Sequence, residues 1–202
     1  MVTADDLLTV FERCGGQLSL LAPRNWDTPI PGMDWTVRDT VENLVDGIGF
    51  FTLHLLAESM QRLRVDIRCH GEISNEAVLD VLAAEVRALA RAGALMPEST
   101  RAYHPHGSAD AAGFMALACA ELLGHTHDAC RGMDTPFEVD TEVTRDVVAR
   151  LFPGVAGDGD RLAALLWATG RLSLDGREDV GDDWTYNPGP PEARIAARAS
   201  RN

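Results

Sequence analysis

Between Ala111 and Leu123 the sequence reads AAGFMALACAELL, an apolar run interrupted by one carboxylate, Glu121. A carboxylate in such a run is costly to bury unless it is paired, protonated or bound to a cation. His125 follows one helical turn later, so on a helix both side chains reach the same spot. Phe114, Ala118, Glu121, His125 and Asp128 then share one narrow stripe. A Glu and a His at this spacing can ligate one divalent metal. They can equally form a hydrogen-bonded acid/base pair, or tie helices together without chemistry. The spacing alone leaves all three open.

Four more residues qualify for the rim of a site. His104 and His106 flank Pro105 in a polar stretch, as ligands, a pH-sensitive pair or a pocket edge. Trp35 packs at a helix start or lines a pocket. Arg171 follows Gly170 at a helix end, where its charge suits the dipole and offers a group for an acidic substrate. Arg38 and Asp39 read as a surface charge and a cap. Cys14, Cys69, Cys119 and Cys130 form no CxxC pair, which excludes a zinc ribbon or thioredoxin motif. Cys14 and Cys119 sit among apolar residues and read as buried thiols. The loop from Gly154 to Gly159 lacks a following GK[ST] and a preceding strand, so it is no phosphate loop.

The elements that must position these groups are helices. Thr3 with Asp6 caps a first helix, with Leu7, Val10, Phe11, Cys14, Leu18 and Leu21 on its apolar face and Pro23 at its end. An ordered loop around Trp26, Pro29 and Pro31 leads to Thr36, which with Asp39 caps a second helix. Its stripe is Val37, Val41, Leu44, Ile48, Phe51 and Leu55, and it is predicted to run to about Arg64, before an irregular or extended stretch over 65–73. Ser74 caps a third helix with Val78, Val81, Leu82 and Leu89 inward, fading at Gly93. The fourth begins at Ser108 or Ala109 and runs to Arg131, with Gly132 as its cap. Shorter helices follow, from about Thr141 to Phe152 and from Asp160 to Gly170.

Trp184 and Tyr186 anchor a tail over 171–187, and 188–202 is expected to be flexible, at most a frayed helix around Ala193 to Ala199. No strand pattern or repeat is present. The expected fold is all-α, one domain over 1–187: a four-helix bundle with two additional shorter helices and an ordered C-terminal tail.

Bulk properties narrow the partners. The chain of 202 residues carries 18 basic and 31 acidic side chains, a net charge of −13. It repels phosphate backbones and has no basic stripe, so no nucleic acid is expected. No apolar run is long enough to span a membrane, and the first residues do not read as a signal peptide. A cytoplasmic protein acting on a small molecule is the expectation.

Four segments carry a resemblance. Trp35 to Leu44, WTVRDTVENL, resembles the WTVRDxxxHL segment of the maleylpyruvate isomerase N-terminal domain family, a DinB-like helical-bundle group. Glu121 to Asp128, ELLGHTHD, resembles its ExxxHxxD segment. Leu166 to Arg171, LWATGR, is similar to a C-terminal signature of short relatives, as is His104-Pro105-His106-Gly107 with Ala109-Asp110 and Gly113-Phe114. Together they span about residues 35–171 in the family's order.

The resemblance implies a DinB-like four-helix bundle that binds a divalent metal, usually zinc, through a His on the second helix and the Glu and His of ExxxH. The metal lowers the pKa of a bound thiol, mycothiol, and the thiolate adds to an unsaturated acid, allows rotation and leaves. Carried over, Glu121 and His125 are two ligands, while the helix-two His falls on Asn43, a neutral donor poorly suited to zinc. His54, Asp46 and His127 are badly placed to replace it, and His104 or His106 would have to fold back. The isomerase's additional C-terminal domain does not fit within this length, which disfavours maleylpyruvate itself.

The resemblance therefore points to a diverged thiol-dependent isomerase or S-transferase for a small electrophile. The alternative is a non-catalytic or metal-free DinB-like domain that binds a small ligand or a protein partner. Relatives with this bundle often pair, so a homodimer is possible. The absence of lysine suits a GC-rich genome, such as that of an actinobacterium, where mycothiol is the abundant thiol.

Overall fold

Each long helix starts at a side chain that satisfies the free N–H groups of its first turn. Thr3 with Asp6 and Thr36 with Asp39 form reciprocal capping boxes, and Ser74 and Asp110 cap the next two. Such caps contribute about 1 kcal/mol each. In the computed structural model, which describes residues 1–139, 142–155, 159–181 and 184–191, they open α1 (Ala4–Leu21), α2 (Val37–Ala57), α3 (Asn75–Leu95) and α4 (Ala111–Gly132). Two short helices follow, α5 (Glu142–Leu151) and α6 (Arg161–Ala168), the latter capped by Asp160. Among the described residues there is no strand, only two isolated bridges, Pro29 with Thr36 and Ala102 with Ala109. The fold is all-α.

The four long helices form a bundle in which α4 is most deeply enclosed. It packs on α1, α2, α3 and α5, while α3 also lies against α1 and α2. Every residue from Gly113 to Ala120 is buried, as expected of a helix that is apolar all round. Leu7, Leu18, Leu44, Ile48, Leu82, Leu89 and Phe114 fill the centre. Val81, expected inside, is exposed. No helix of the described residues is long and apolar enough to cross a membrane.

Several boundaries differ from the sequence reading: α3 continues past Gly93 to Leu95, α6 ends at Ala168 rather than Gly170, and three others have a local cause. α2 stops at Ala57, not near Arg64. Glu58 turns left-handed at φ 47, and the N–H groups of Glu58 and Ser59 reach back to the carbonyls of Leu55 and His54. That arrangement closes a helix and leaves 58–73 irregular. α4 starts at Ala111 because Ala109 is engaged in the bridge to Ala102, leaving Asp110 to accept from the Gly113 N–H at 2.7 Å. Gly132 is the last helical residue rather than a cap. Its lack of a side chain admits Val37 and Ile30, which would lie 2.8 and 3.0 Å from a Cβ there. The left-handed residue is Asp134.

The tail is packed further than expected, since Pro188 and Pro190 are buried and Arg150 donates to the Pro188 carbonyl at 2.6 Å. Thr141, the middle of the Gly154–Gly159 loop and the expected frayed helix at Ala193–Ala199 lie outside the described residues.

Candidate functional site

The second half of α4 turns Glu121, His125 and Asp128 to one side, and four separate segments converge on them. Glu121 Oε2 lies 2.9 Å from His125 Nε2. On the other side of the ring, His125 Nδ1 lies 3.4 Å from Asp128 Oδ2, within ion-pair range but without hydrogen-bond geometry. Asp128 is fully buried and receives the Arg171 Nε–H at 2.9 Å. Gly124 makes room for this, because a Cβ there would sit 3.2 Å from the Arg171 guanidinium carbon. The Tyr186 hydroxyl donates to Glu121 Oε1 at 3.1 Å.

Two residues around the start of α2 complete the cluster. Trp35 stacks on the His125 ring, with centroids 6.0 Å apart and planes 26° from parallel. Asn43 Nδ2 lies 3.3 Å from His125 Nε2. A ring nitrogen offers one hydrogen-bonding position. The shorter, charge-assisted contact to Glu121 takes it, leaving the Asn43 amide as a neighbour able to turn toward a ligand. The Glu121 side chain is 21% exposed and His125 only 7%, so the pair is largely shielded from solvent.

The electrostatics separate charge within the pair. Burial opposes ionisation of Glu121, but the hydrogen bond and charge of His125, the Arg171 charge and the Tyr186 hydroxyl outweigh it and lower its pKa. Burial likewise opposes a charged His125, and the carboxylates of Asp128 and Glu121 overcome it, raising its pKa. Asp128, despite burial, is held below its ordinary value by His125 and Arg171. The arrangement favours a charged His125 between two ionised carboxylates, one of them answered by a guanidinium.

The expected rim is partly in place. His104 is buried against Phe51, His106 and Tyr186, and its Nδ1 accepts from the His106 N–H at 3.2 Å. Burial, with the neighbouring His106, pushes its pKa down to about 4, so it stays neutral. Among the described residues neither histidine hydrogen-bonds to Glu121 or His125. Arg171, expected to be available to an anion, is committed to Asp128. Arg38 is no free surface charge, since it donates to Ile73 O and Asn75 Oδ1 and lies over Trp26. His54 is structural, bonding Phe50 O and accepting from the Leu63 N–H, and Asp46 accepts from the Ile67 N–H.

A depression of about 480 Å³ opens beside Trp35 and Asn43, walled by Asp34, Asp39, Glu42 and Asp46 against Arg68. A larger one, about 810 Å³, lies against Val2, Gly93, Met96 and Met115 and shares no residue with the cluster.

The donor set does not suit zinc. It comprises one carboxylate, one imidazole whose nitrogen is already engaged by that carboxylate, and a neutral amide, where a tetrahedral site takes three anionic or nitrogen ligands plus water. No group of three or more His, Cys, Asp or Glu side chains among the described residues is placed to hold a metal.

Two members of the cluster were not placed in the site from sequence. Asp128 was visible on the stripe, three residues beyond His125. Tyr186 was read as a tail anchor only, and nothing local linked it to Glu121, 65 residues away. The chain matches no protein-family model, and comparison with curated proteins and with solved structures returned no match.

Proposed function

We propose that the chain is a diverged member of the maleylpyruvate isomerase N-terminal-like family with a DinB-like bundle. In this reading it is a thiol-dependent isomerase or S-transferase for a small electrophile. The observation that carries it is the Glu121–His125 pair, 2.9 Å apart on an otherwise apolar helix and ringed by polar partners from distant segments.

Its chemistry is proton transfer. The carboxylate of Glu121 accepts the S–H proton as sulfur adds to the unsaturated carbon. The His125 imidazolium donates its proton to the oxygen on which negative charge develops. Reversal of both transfers expels the thiol and returns a rotated double bond. Retention of the thiol gives a conjugate. No step is routed through a metal, because the donor set falls short of one.

The thiol is a cosubstrate, with mycothiol the candidate. Burial pushes Cys14 up to about 12 and Cys119 well above its ordinary range, so neither is a nucleophile near neutral pH. The carboxylates beside Trp35 and Asn43 disfavour an acidic substrate entering there.

A second reading is a binding domain without catalysis. It is favoured by the buried Asp128–Arg171 ion pair, which joins α4 to the segment after α6. Incubation with mycothiol and a panel of electrophiles, followed by mass detection, separates the two. A conjugate or isomerised product that vanishes in Glu121→Gln is expected. No product from any member of the panel would leave the binding reading.

A further inference from the structure

The C-terminal strap, residues 184–191, is fastened across the site by contacts that do not involve the Glu121–His125 pair. Asn187 N–H donates to Leu151 O at 3.0 Å, and Arg150 donates to Pro188 O. The Tyr186 ring packs on Trp184, Phe152 and His106, with centroids 4.9, 5.6 and 6.1 Å away. Its hydroxyl then reaches Glu121 Oε1 while Oε2 faces His125.

A glutamate on a helix surface has three rotatable bonds and, with one partner, a choice of rotamers. With both oxygens engaged from opposite directions it has one arrangement. We infer that Tyr186 is a positioning residue of the pair: its hydroxyl holds Glu121 Oε1 so that Oε2 meets the His125 imidazole, and the strap is thereby part of the site. The inference deepens the proposed function and rests on it only where turnover is concerned. The hydrogen-bond geometry stands without it.

The groups around the Glu121–His125 pair are Asp128 from α4, Arg171 from beyond α6, His104 from the loop before α4, Asn43 from α2, and Tyr186 from the strap. Among the described residues it is Tyr186 that hydrogen-bonds to Oε1.

The test is a spectroscopic one on the full chain at constant pH. The imidazole Nε2 proton of His125, held by a charge-assisted bond, is expected as a downfield proton resonance protected from exchange. In Tyr186→Phe, which keeps the ring and its packing, that resonance should exchange at least about tenfold faster or broaden away, as a hydrogen bond to a charged group is lost. In Trp184→Phe, which perturbs the strap but not the hydroxyl, it should persist.

Because the chain has two tyrosines, 3-fluorotyrosine labelling adds a second measurement on unaltered packing. The fluorine signal assigned to residue 186 should move in Glu121→Gln, while that of Tyr103 stays. An unchanged His125 resonance in Tyr186→Phe, or equal loss in Trp184→Phe, would overturn the inference. So would a residue-186 fluorine signal insensitive to Glu121→Gln. Loss of turnover without these changes would count against it while leaving the proposed function standing. The expected spectroscopic changes without any turnover would do the reverse.

Discussion

The two sides of α4 bury equally reactive-looking atoms to opposite effect. Toward α1, Cys119, Thr126 and Cys130 gather around Cys14, all buried in apolar surroundings. Toward α2 and the strap, Glu121, His125 and Asp128 are buried among polar partners. On the first side burial is the main influence on the thiols, and it raises their pKa until they are inert. On the second, burial opposes charge no less, yet His125, Arg171 and Tyr186 favour the ionised Glu121, and Asp128 and Glu121 favour a charged His125. Reactivity on a buried helix is thus set by what the rest of the chain brings to each face.

The comparison breaks most directly by removing the charge. Glu121→Gln should lower turnover by roughly 10²–10⁴-fold, the usual weight of a general acid/base group, while Cys14→Ala leaves the rate within about twofold. Product formation followed by mass detection checks both, and a Cys14 variant as impaired as Glu121→Gln would invert the comparison. Adding a donor tests the polar face from the other direction. Asn43→His supplies a second imidazole beside His125 and should raise zinc affinity by roughly a hundredfold or more. Zinc titration with elemental analysis of both proteins reads this out, and equally weak binding in both would show that the face has departed from a metal site at more than one position.

Stability should differ between the faces as well. Asp128→Ala leaves Arg171 and His125 without their buried carboxylate and should cost about 3–5 kcal/mol, whereas Cys119→Ala, losing one sulfur, should cost about 1 kcal/mol. Guanidinium unfolding midpoints decide, and equal losses would mean that the ion pair adds nothing beyond packing.

The smallest effect is on pH. Glu121 and Asp128 have lowered folded pKa values, so their contribution is present above the ordinary 4.5 and 3.8 and is lost as pH falls through the folded values. His125 is raised, so its contribution is complete below the ordinary 6.5 and is lost as pH rises through the folded value. The network should stabilise most between about pH 4.5 and 6.5. Thermal midpoints measured across pH should show that maximum in the unmodified chain and a flatter profile in Asp128→Ala.

Much of this was readable residue by residue. Thr3, Thr36, Ser74 and Asp160 begin helices because a cap and the N–H groups it satisfies lie within three residues of each other. The helical spacing of Glu121 and His125 likewise requires their proximity once a helix forms. The end of α2 was misplaced because Glu58 adopts a left-handed conformation that no glycine or asparagine announces. The start of α4 was misplaced because a bridge to Ala102 claims Ala109.

By itself the sequence determined the helices, their inward faces and a carboxylate–imidazole pair on the most apolar of them, because each depends on contacts within a few residues. Only the tertiary structure decided what that pair is. Arg171 could have met a substrate and instead meets Asp128, Trp35 could have packed away and instead covers His125, and Tyr186 closes onto Glu121 from a distant strap. These partners join segments far apart in the chain. Their pairing follows from how whole helices pack and from the need to satisfy each buried polar group, and local spacing records neither.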